Sequence, residues 1–342
     1  MKAAVFYGPG KELQIEEVPT PKPGPGEVLV RVAATGVCAT DVHYVFHGVP
    51  TGKKPPLILG HEISGIIEEV GPYVTGWSPG DRVLVIPTVS CGMCYNCLTG
   101  RDNVCENMKM IGNDLDGGYA EYVKAPVRAL VKLPPDLPVS LEDASVISDA
   151  MATAYHAVKS RGKVGPGNKV VIFGVGGLGI HAVQVALALG AFVIAVDIDS
   201  KKLELAKQLG VHEVVNSAEV NAVDEIRKIL GKPGADVAFD FVGNPQVTDQ
   251  AFRVLRTGGT LVVVGYSEKT WNLPLNRLMY REMTVLGSLG SPLSDYQELI
   301  QLVRLGKVKP IVTERYKLEQ INEALRRLNE GKVIGRQIII PR

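Results

Sequence analysis

The chain has 342 residues, of which 21% are charged and 46% are hydrophobic, and its formal net charge is +1. This composition excludes a chain that is disordered through high charge and low hydrophobicity. It also lacks the basic excess of a nucleic-acid-binding protein, so we expect no nucleic-acid partner. A chain of this length is expected to form two domains.

Neither the N-terminus nor the most hydrophobic stretch predicts export or membrane insertion. The first residues contain no apolar run of signal-peptide length. Residues 180–196 include His181, Gln184 and Gly190 and are too few and too polar to span a bilayer. Four of the five cysteines lie between positions 91 and 105. In a reducing compartment such crowding favours metal binding over disulfides. We therefore expect a cytoplasmic protein without a membrane partner.

The first 150 residues predict short antiparallel strands. Strand-like runs at residues 28–32, 63–70 and 82–86 are separated by segments rich in Gly and Pro, such as residues 21–26 and 78–81. Short strands with this spacing indicate a sheet that closes on itself, because no helical segments separate them as in strand–helix–strand units.

After about residue 150 the pattern changes to alternating strands and helices. Strands are predicted at residues 169–173, 192–196, 237–240 and 260–264, and helices at residues 178–189 and 201–209. This alternation predicts a doubly wound parallel sheet and therefore an α/β fold. The last segment adds a predicted helix at residues 318–329 and a strand at residues 337–340.

A glycine-rich turn follows the first strand of this second region and opens a helix. The glycines permit a tight turn and the approach of a pyrophosphate to the helix N-terminus. Asp197, at the end of the next strand, can accept hydrogen bonds from the adenosine ribose and repel a 2′-phosphate. The pattern predicts NAD in preference to NADP, with a ligand-free turn or a flavin site as alternatives. The turn residues expected at the cofactor are Gly174, Gly176, Gly177, Leu178 and Gly179.

A second motif places Cys91, Cys94, Cys97 and Cys105 in one loop. Four thiolates supply the closed tetrahedral set of a structural zinc site, which leaves no position for a substrate. Disulfides and an iron–sulfur cluster are the alternatives. A reducing compartment disfavours the former, and no redox partner motif supports the latter. We predict a structural zinc ion.

Two further motifs surround Cys38, in GVCATDVH, and His61, in GHE. A lone Cys or His is more often a buried residue than a ligand. Together with the cysteine loop and the glycine-rich turn, however, these motifs occur in the order found in zinc-containing medium-chain alcohol dehydrogenases, and the chain resembles that family over its whole length. The resemblance implies a GroES-like β-barrel catalytic domain at residues 1–151, a Rossmann NAD-binding domain at residues 152–288, and a return to the catalytic domain at residues 289–342.

The resemblance also implies roles for individual residues. Cys38 and His61 match two ligands of a catalytic zinc ion. Thr40 matches the hydroxyl that passes on the alcohol proton, and His43 matches the histidine that ends this relay. Glu62 matches a group beside the metal that can contact it transiently. The implied cofactor contacts are Lys202 near the adenosine ribose, Thr153 at the nicotinamide, Arg336 at the pyrophosphate, and Val264.

Asp149 departs from the common pattern of the family, because many relatives place a cysteine four residues before the residue that Thr153 matches. A Cys/His/Asp ligand set is chemically sound for zinc. The aspartate points to secondary alcohols and ketones as substrates. The alternative is that Asp149 caps a helix, in which case Glu62 is the preferred third ligand.

These assignments predict two zinc ions per subunit, one catalytic and one structural. The predicted reaction is reversible oxidation of primary or secondary alcohols to aldehydes or ketones by hydride transfer to NAD. A polyol or amino-alcohol dehydrogenase is the main alternative, although the expected substrate-lining residues Phe46, Met151 and Leu289 are apolar. A non-catalytic NAD-binding sensor is a third possibility. The resemblance further implies a homotetramer or homodimer, joined at a sheet edge near residues 283–289.

Overall fold

The computed structural model describes the whole chain, Met1–Arg342, as two compact units. The first unit comprises Met1–Ala152, Gly290–Gly306 and Pro310–Arg342. The second comprises Thr153–Leu289 and Lys307–Lys309.

The chain up to residue 155 consists mainly of strands, as the pattern of short runs separated by Gly and Pro predicts. Its elements in chain order are β1 (Lys2–Phe6), β2 (Gln14–Glu17), β3 (Glu27–Gly36), α1 (Ala39–Phe46), β4 (Leu57–Ile58), β5 (Glu62–Val70), β6 (Arg82–Val85), β7 (Thr88–Val89), α2 (Tyr95–Leu98), β8 (Lys109–Met110), β9 (Tyr122–Pro126), β10 (Leu130–Lys132) and α3 (Ala150–Tyr155).

Strands and helices alternate in the second unit. Its elements are β11 (Lys169–Phe173), α4 (Gly179–Ala188), β12 (Phe192–Asp197), α5 (Ser200–Gln208), β13 (Glu213–Asn216), α6 (Ala222–Leu230), β14 (Ala235–Asp240), α7 (Pro245–Arg253), β15 (Leu255–Val263), α8 (Leu275–Tyr280) and β16 (Thr284–Gly287). The remaining elements are α9 (Leu293–Arg304), β17 (Val312–Lys317), α10 (Ile321–Asn329) and β18 (Arg336–Ile340).

A seven-stranded sheet forms the frame of the first unit. Its order is β10-β6-β5-β3-β18-β17, and β9 also pairs with β3. All pairs are antiparallel except β17 with β18. The C-terminal strand β18 therefore lies beside β3, at Thr35 and Gly36, directly before the Cys38 motif. The first unit also contains a smaller three-stranded sheet with the order β2-β1-β4. Phe6 and Leu57 of this sheet belong to one buried hydrophobic core together with Tyr119.

A six-stranded parallel sheet with the order β13-β12-β11-β14-β15-β16 forms the second unit. This is the strand order of dinucleotide-binding folds, so the prediction of a doubly wound sheet is confirmed. The direction of strand succession reverses between β11 and β14, and ligands of such sheets bind at the carboxyl ends of strands at this point. The buried side chains of Phe173, Ile194, Phe252 and Leu261 belong to its core.

Two helices differ in detail from their predictions. The predicted helix at residues 318–329 begins with a 3₁₀ turn, Leu318–Gln320, and becomes α-helical only at Ile321. Gln320 accounts for this start, because its side-chain Oε1 accepts the backbone N–H of Lys317 at 3.0 Å and caps the turn. In addition, α3 continues into a π-helical segment, His156–Arg161, which no sequence pattern indicated.

Candidate metal centre and cofactor site

Four side chains converge in the first unit. The ligand atoms of Cys38, His61, Glu62 and Asp149 all lie within 4.8 Å of one another. Cys38 precedes α1, His61 precedes β5 and Glu62 begins it, and Asp149 follows a 3₁₀ turn, Asp143–Ser148. Three separate segments thus bring together the two ligands implied by the resemblance and both candidates for the third.

The spacing of His61 and Asp149 fits two ligands of one zinc ion. His61 Nε2 lies 3.6 Å from Asp149 Oδ2, and the two side chains are only 2% and 14% exposed. This separation exceeds a normal hydrogen bond. Two donors that bind one tetrahedral zinc ion at its usual bond lengths lie about 3.4 Å apart. The geometry therefore favours a shared cation over a direct contact.

The negative charges around His61 also favour a bound cation at this site. Burial acts to lower the pKa of His61, but Asp41, Cys38 and Asp149 outweigh it, so that the pKa is raised well above its ordinary value. Burial acts to raise the pKa of Asp149, but the nearby positive charge of a protonated His61 helps to outweigh it, so that the pKa is lowered. The ligand set thus attracts positive charge, which zinc can supply while His61 binds as a neutral imidazole.

Glu62 has a different partner. Arg336 Nε donates to Glu62 Oε2 at 3.0 Å, and Arg336 Nη2 donates to the other carboxylate oxygen. Both residues are buried, and burial raises the pKa of Glu62 to about 7 against the charge of Arg336. Gly36 leaves the space for this carboxylate, since a Cβ there would lie 2.0 Å from Glu62 Oε2. Because Arg336 holds Glu62, Asp149 is the better candidate for the third ligand.

Asp41 lies close to Nδ1 of His61, and Tyr119 forms a hydrogen bond with Asp41. Asp41 Oδ1 lies 3.7 Å from His61 Nδ1, and this carboxylate also accepts the backbone N–H groups of Cys38 and Gly60. The hydroxyl of Tyr119, which is fully buried, donates to Asp41 Oδ2 at 2.9 Å. At 3.7 Å Asp41 makes no hydrogen bond with His61 Nδ1, but its negative charge raises the pKa of His61. Tyr119 was not among the predicted site residues, although the Gly117-Gly118 pair before it is a signal of irregular backbone.

The two predicted relay residues lie on α1. Thr40 Oγ1 is 3.6 Å from Cys38 Sγ, so the hydroxyl lies beside the candidate ligands. His43, one turn further along, places its Nδ1 2.9 Å from Nδ1 of His47. His47 was not among the predicted site residues, although residues four apart, such as His43 and His47, lie side by side when the chain is helical.

The four clustered cysteines have the geometry of a zinc site. The Sγ–Sγ distances are 3.5 Å for Cys94–Cys97, 3.9 Å for Cys94–Cys105 and 4.0 Å for Cys91–Cys97. Thiolates on one tetrahedral zinc ion are about 3.8 Å apart, whereas a disulfide needs about 2.05 Å. All five cysteines of the chain are free. Backbone N–H groups of Met93 and Cys94 lower the pKa of Cys91 to about 6, which favours the thiolate that binds metal.

In the glycine-rich turn between β11 and α4, three positions favour glycine, each for a different structural reason. Gly174 has φ +83°, which disfavours any residue with a side chain. At Gly176 a Cβ would meet no atom within 4 Å, so the backbone there is open to a ligand. At Gly179 a Cβ would lie 1.8 Å from the carbonyl oxygen of Gly174, so strand and helix require glycine to pack closely. Gly177 and Leu178 complete the turn before α4.

The remaining predicted cofactor residues lie in several places. Asp197 ends β12, and its Oδ2 accepts the backbone N–H of Val175 at 2.9 Å, which ties it to the glycine-rich turn. Lys202 lies in α5 and is half-buried, and Val264 directly follows β15. Thr153 is buried within α3. Arg336 is engaged with Glu62, so its contact with pyrophosphate stays a prediction.

The expected substrate-lining residues differ in accessibility. Phe46 is 39% exposed and Leu289 is 55% exposed. Met151, however, is 0% exposed. Its contact with a substrate therefore stays a prediction.

Known proteins establish the family. A model described as zinc-binding dehydrogenase matches residues 177–304, and the model of the alcohol dehydrogenase GroES-like domain matches residues 24–135. An alcohol dehydrogenase of Geobacillus stearothermophilus is 42% identical over 341 residues, 99% of each chain. An NAD-dependent alcohol dehydrogenase of Sulfurisphaera tokodaii is 38% identical, with all of both chains covered. The crystal structure of the Aeropyrum pernix alcohol dehydrogenase has a TM-score of 0.91 at 38% identity, again over all of both chains.

The chain therefore belongs to the zinc-containing medium-chain alcohol dehydrogenase family. The expected fold class and enzyme class are confirmed, as are zinc and NAD as the cofactors of the family. The names of the relatives cover more substrates than simple alcohols. An L-threonine 3-dehydrogenase of Pyrococcus horikoshii is 34% identical over 347 residues, 98% of each chain. None of the helices is both long enough and apolar enough to span a lipid bilayer.

Proposed function

We propose that this enzyme catalyses reversible oxidation of simple primary or secondary alcohols to aldehydes or ketones, with NAD as the hydride acceptor. The observation that carries the proposal is the convergence of Cys38, His61 and Asp149 within 4.8 Å. Three protein ligands leave one position of a tetrahedral ion for the substrate oxygen, as catalytic zinc sites require. With zinc and NAD bound, the site has a Lewis acid for the alcohol oxygen and an acceptor for the hydride.

The residues of the chain would hold the substrate and move its proton. Thr40, next to Cys38 Sγ, would accept a hydrogen bond from the alcohol and pass its proton toward His43. His43, half-buried on α1, would exchange that proton with solvent. In carbonyl reduction the proton returns along the same groups, so both directions use one set of residues.

Asp197 supports NAD over NADP. A carboxylate that accepts the Val175 N–H at the glycine-rich turn would also accept hydrogen bonds from the ribose hydroxyls. Its charge would repel a 2′-phosphate. Lys202, in the helix that follows Asp197, is proposed at the adenosine end of the cofactor.

The alternative substrate class is a polyol or an amino alcohol. The relative named L-threonine 3-dehydrogenase supports it, because 34% identity over nearly the whole chain spans a change of substrate. The exposed apolar side chain of Phe46, at the end of the helix that carries Thr40 and His43, supports an apolar substrate. We therefore keep the simple alcohol as the main proposal.

We further propose a homodimer or homotetramer in the cytoplasm. β16 pairs only with β15 and is the edge strand of its sheet, so its other side is open to a second copy. Exposed apolar side chains lie close to it in sequence on α8, among them Leu275, Met279 and Tyr280. Free cysteines in a zinc-like cluster fit a reducing compartment.

The test is a rate screen with the purified zinc-loaded enzyme. Ethanol, 2-propanol, 2-butanol, sorbitol and L-threonine are each offered with NAD and with NADP, and kcat/KM is measured. We expect the highest values for a simple secondary or primary alcohol with NAD. Preference for sorbitol or L-threonine would favour the alternative class. An enzyme that binds NAD but oxidises none of them would overturn the proposal.

A further inference from the structure

A hydrogen-bonded chain extends from His43 to the far side of α1. His43 Nδ1 lies 2.9 Å from His47 Nδ1, and His47 Nε2 lies 3.2 Å from Asn329 Oδ1. Asn329 is the last residue of α10, which packs on α1. The chain thus joins a predicted relay residue to a side chain 282 positions from His47.

The chemistry of the three side chains fixes where the protons lie. An amide oxygen only accepts hydrogen bonds, so His47 must carry its proton on Nε2. The neutral ring of His47 then has a lone pair on Nδ1, which requires His43 to donate from its own Nδ1. Neutral His43 consequently has its lone pair on Nε2, so that Nε2 is the ring nitrogen that can act as a base.

The contact of His47 with α10 is to an uncharged amide side chain. The charged groups near this end of α10 pair elsewhere: Arg326 with Glu12, Arg327 with Glu314, and Lys332 with Glu330. His47 meets α10 through the neutral amide of Asn329, and its other ring nitrogen faces His43. A neutral partner of this kind selects a tautomer without stabilising an imidazolium at His47.

We propose that His47 and Asn329 are positioning residues that select the tautomer of His43 in which Nε2 is the base. The inference rests on the proposed function, in which His43 exchanges the substrate proton. During alcohol oxidation one proton binds at His43 Nε2, while the Nδ1–H of the resulting imidazolium stays bonded to the lone pair of His47. The same proton then leaves Nε2 for water, so the proton count of His47 does not change.

The first test reads the tautomer directly. With only six histidines in the chain, selective ¹⁵N labelling of the zinc-loaded enzyme gives a simple spectrum, and His43→Gln assigns the signal. We expect His43 to carry its proton on Nδ1 in the wild type. In His47→Ala and Asn329→Ala we expect a shift toward the Nε2–H form. A wild-type His43 with its proton on Nε2, or a tautomer unchanged in both variants, would overturn the inference.

The second test separates tautomer selection from mere packing. Asn329→Ala should lower kcat for alcohol oxidation about 3- to 10-fold, below the roughly 10²-fold limit for loss of an acid–base group. Asn329→Asp keeps a hydrogen-bond acceptor but favours a doubly protonated His47, which would donate to His43 Nδ1 and move the His43 proton to Nε2. We therefore expect Asn329→Asp to be at least as slow as Asn329→Ala. Wild-type rates in Asn329→Asp would contradict the inference.

Asn322→Ala is the matched control, because Asn322 lies on the same helix but bonds the backbone of Leu13. It should keep the wild-type kcat even where it lowers stability. A kcat lowered as much as in Asn329→Ala would show that the loss comes from α10 docking and would overturn the inference. An active wild type with unchanged His47 and Asn329 variants would overturn this inference alone. A wild type without alcohol oxidation would overturn the proposed function instead.

Discussion

At the residue scale, the identity of the third ligand to the catalytic zinc ion has the largest chemical consequence. Asp149 points its carboxylate at His61, whereas Arg336 holds the rival carboxylate of Glu62 by two hydrogen bonds. Asp149 also directly precedes α3, so the capping position and the ligand position coincide in one residue. The contacts favour the ligand because the side chain reaches His61.

We expect Asp149→Ala to reduce the zinc content from about two ions per chain to about one and to abolish alcohol oxidation, since a catalytic site needs three protein donors. Asp149→Cys should retain both ions, because a thiolate also binds zinc. Metal analysis and kcat on the same preparations check both results. Glu62→Gln is the control and should keep both ions. Two zinc ions and normal turnover in Asp149→Ala would make Asp149 a cap and Glu62 the ligand.

The cofactor preference is a second prediction at this scale. We expect kcat/KM with NAD to exceed that with NADP by at least about tenfold, equivalent to about 1.4 kcal/mol. Asp197→Gly should narrow this ratio by removing the charge near the 2′-position. Asp199→Ala is the matched control, since Asp199 caps α5 through the Lys201 N–H and should leave the ratio unchanged. Equal efficiency of the wild type with both cofactors would contradict the assignment.

The sequence predicted this site unevenly, for a physical reason. The glycine-rich turn and the cysteine loop depend on neighbours within a few residues, so their spacing alone indicated their geometry. The contacts of Glu62 with Arg336 and of His47 with Asn329 join positions 274 and 282 residues apart. Such pairs arise from packing of strands and helices that no local pattern encodes.

At the element scale, the cysteine loop forms a unit around its own ion. Cys94→Ala should remove one zinc ion per chain and lower the melting temperature. The reason is that the free energy of zinc binding stabilises the folded loop. Part of the activity should remain, since this site has no open position for substrate. Tyr95→Ala, an exposed neighbour, is the control and should keep two ions. Iron or a disulfide in the intact loop would contradict the structural zinc assignment.

A second element-scale feature is the network that ties α10 to β17 and β18. Glu314 accepts hydrogen bonds from Arg327, Tyr316 and Gln337. The hydrogen bonds of Arg327 and then those of Tyr316 and Gln337 outweigh burial and lower the pKa of Glu314 to about 2. Because this pKa lies below that of an unfolded glutamate, the stabilisation is present at neutral pH and is lost as pH falls from about 4.5 to about 2.

Glu314→Gln should therefore lower the free energy of unfolding at pH 7 by about 1 kcal/mol, a modest effect because the ion pair is partly exposed. The difference from wild type should shrink as pH falls below about 4.5. Urea unfolding at several pH values measures it. A difference that does not change between pH 7 and pH 3 would show that the charge of Glu314 contributes nothing.

At the scale of the whole molecule, the two units carry different parts of the proposed reaction. The candidate zinc ligands belong to the first unit, and the glycine-rich turn with Asp197 belongs to the second. The change from strand-rich to alternating patterns near residue 150 predicted two kinds of structure. The sequence pattern did not indicate that Lys307–Lys309 also belongs to the second unit, since three residues carry no periodic signal.

We propose above all that Cys38, His61 and Asp149 hold the zinc ion on which NAD-dependent alcohol oxidation depends. The direct measurement is stepwise removal of zinc by a chelator, with zinc content and alcohol-dependent NAD reduction followed together. We expect activity to fall in proportion to the loss of one of the two ions, and one added equivalent of zinc to restore it. Full activity in a chain that retains only the zinc ion of the cysteine loop would contradict the claim.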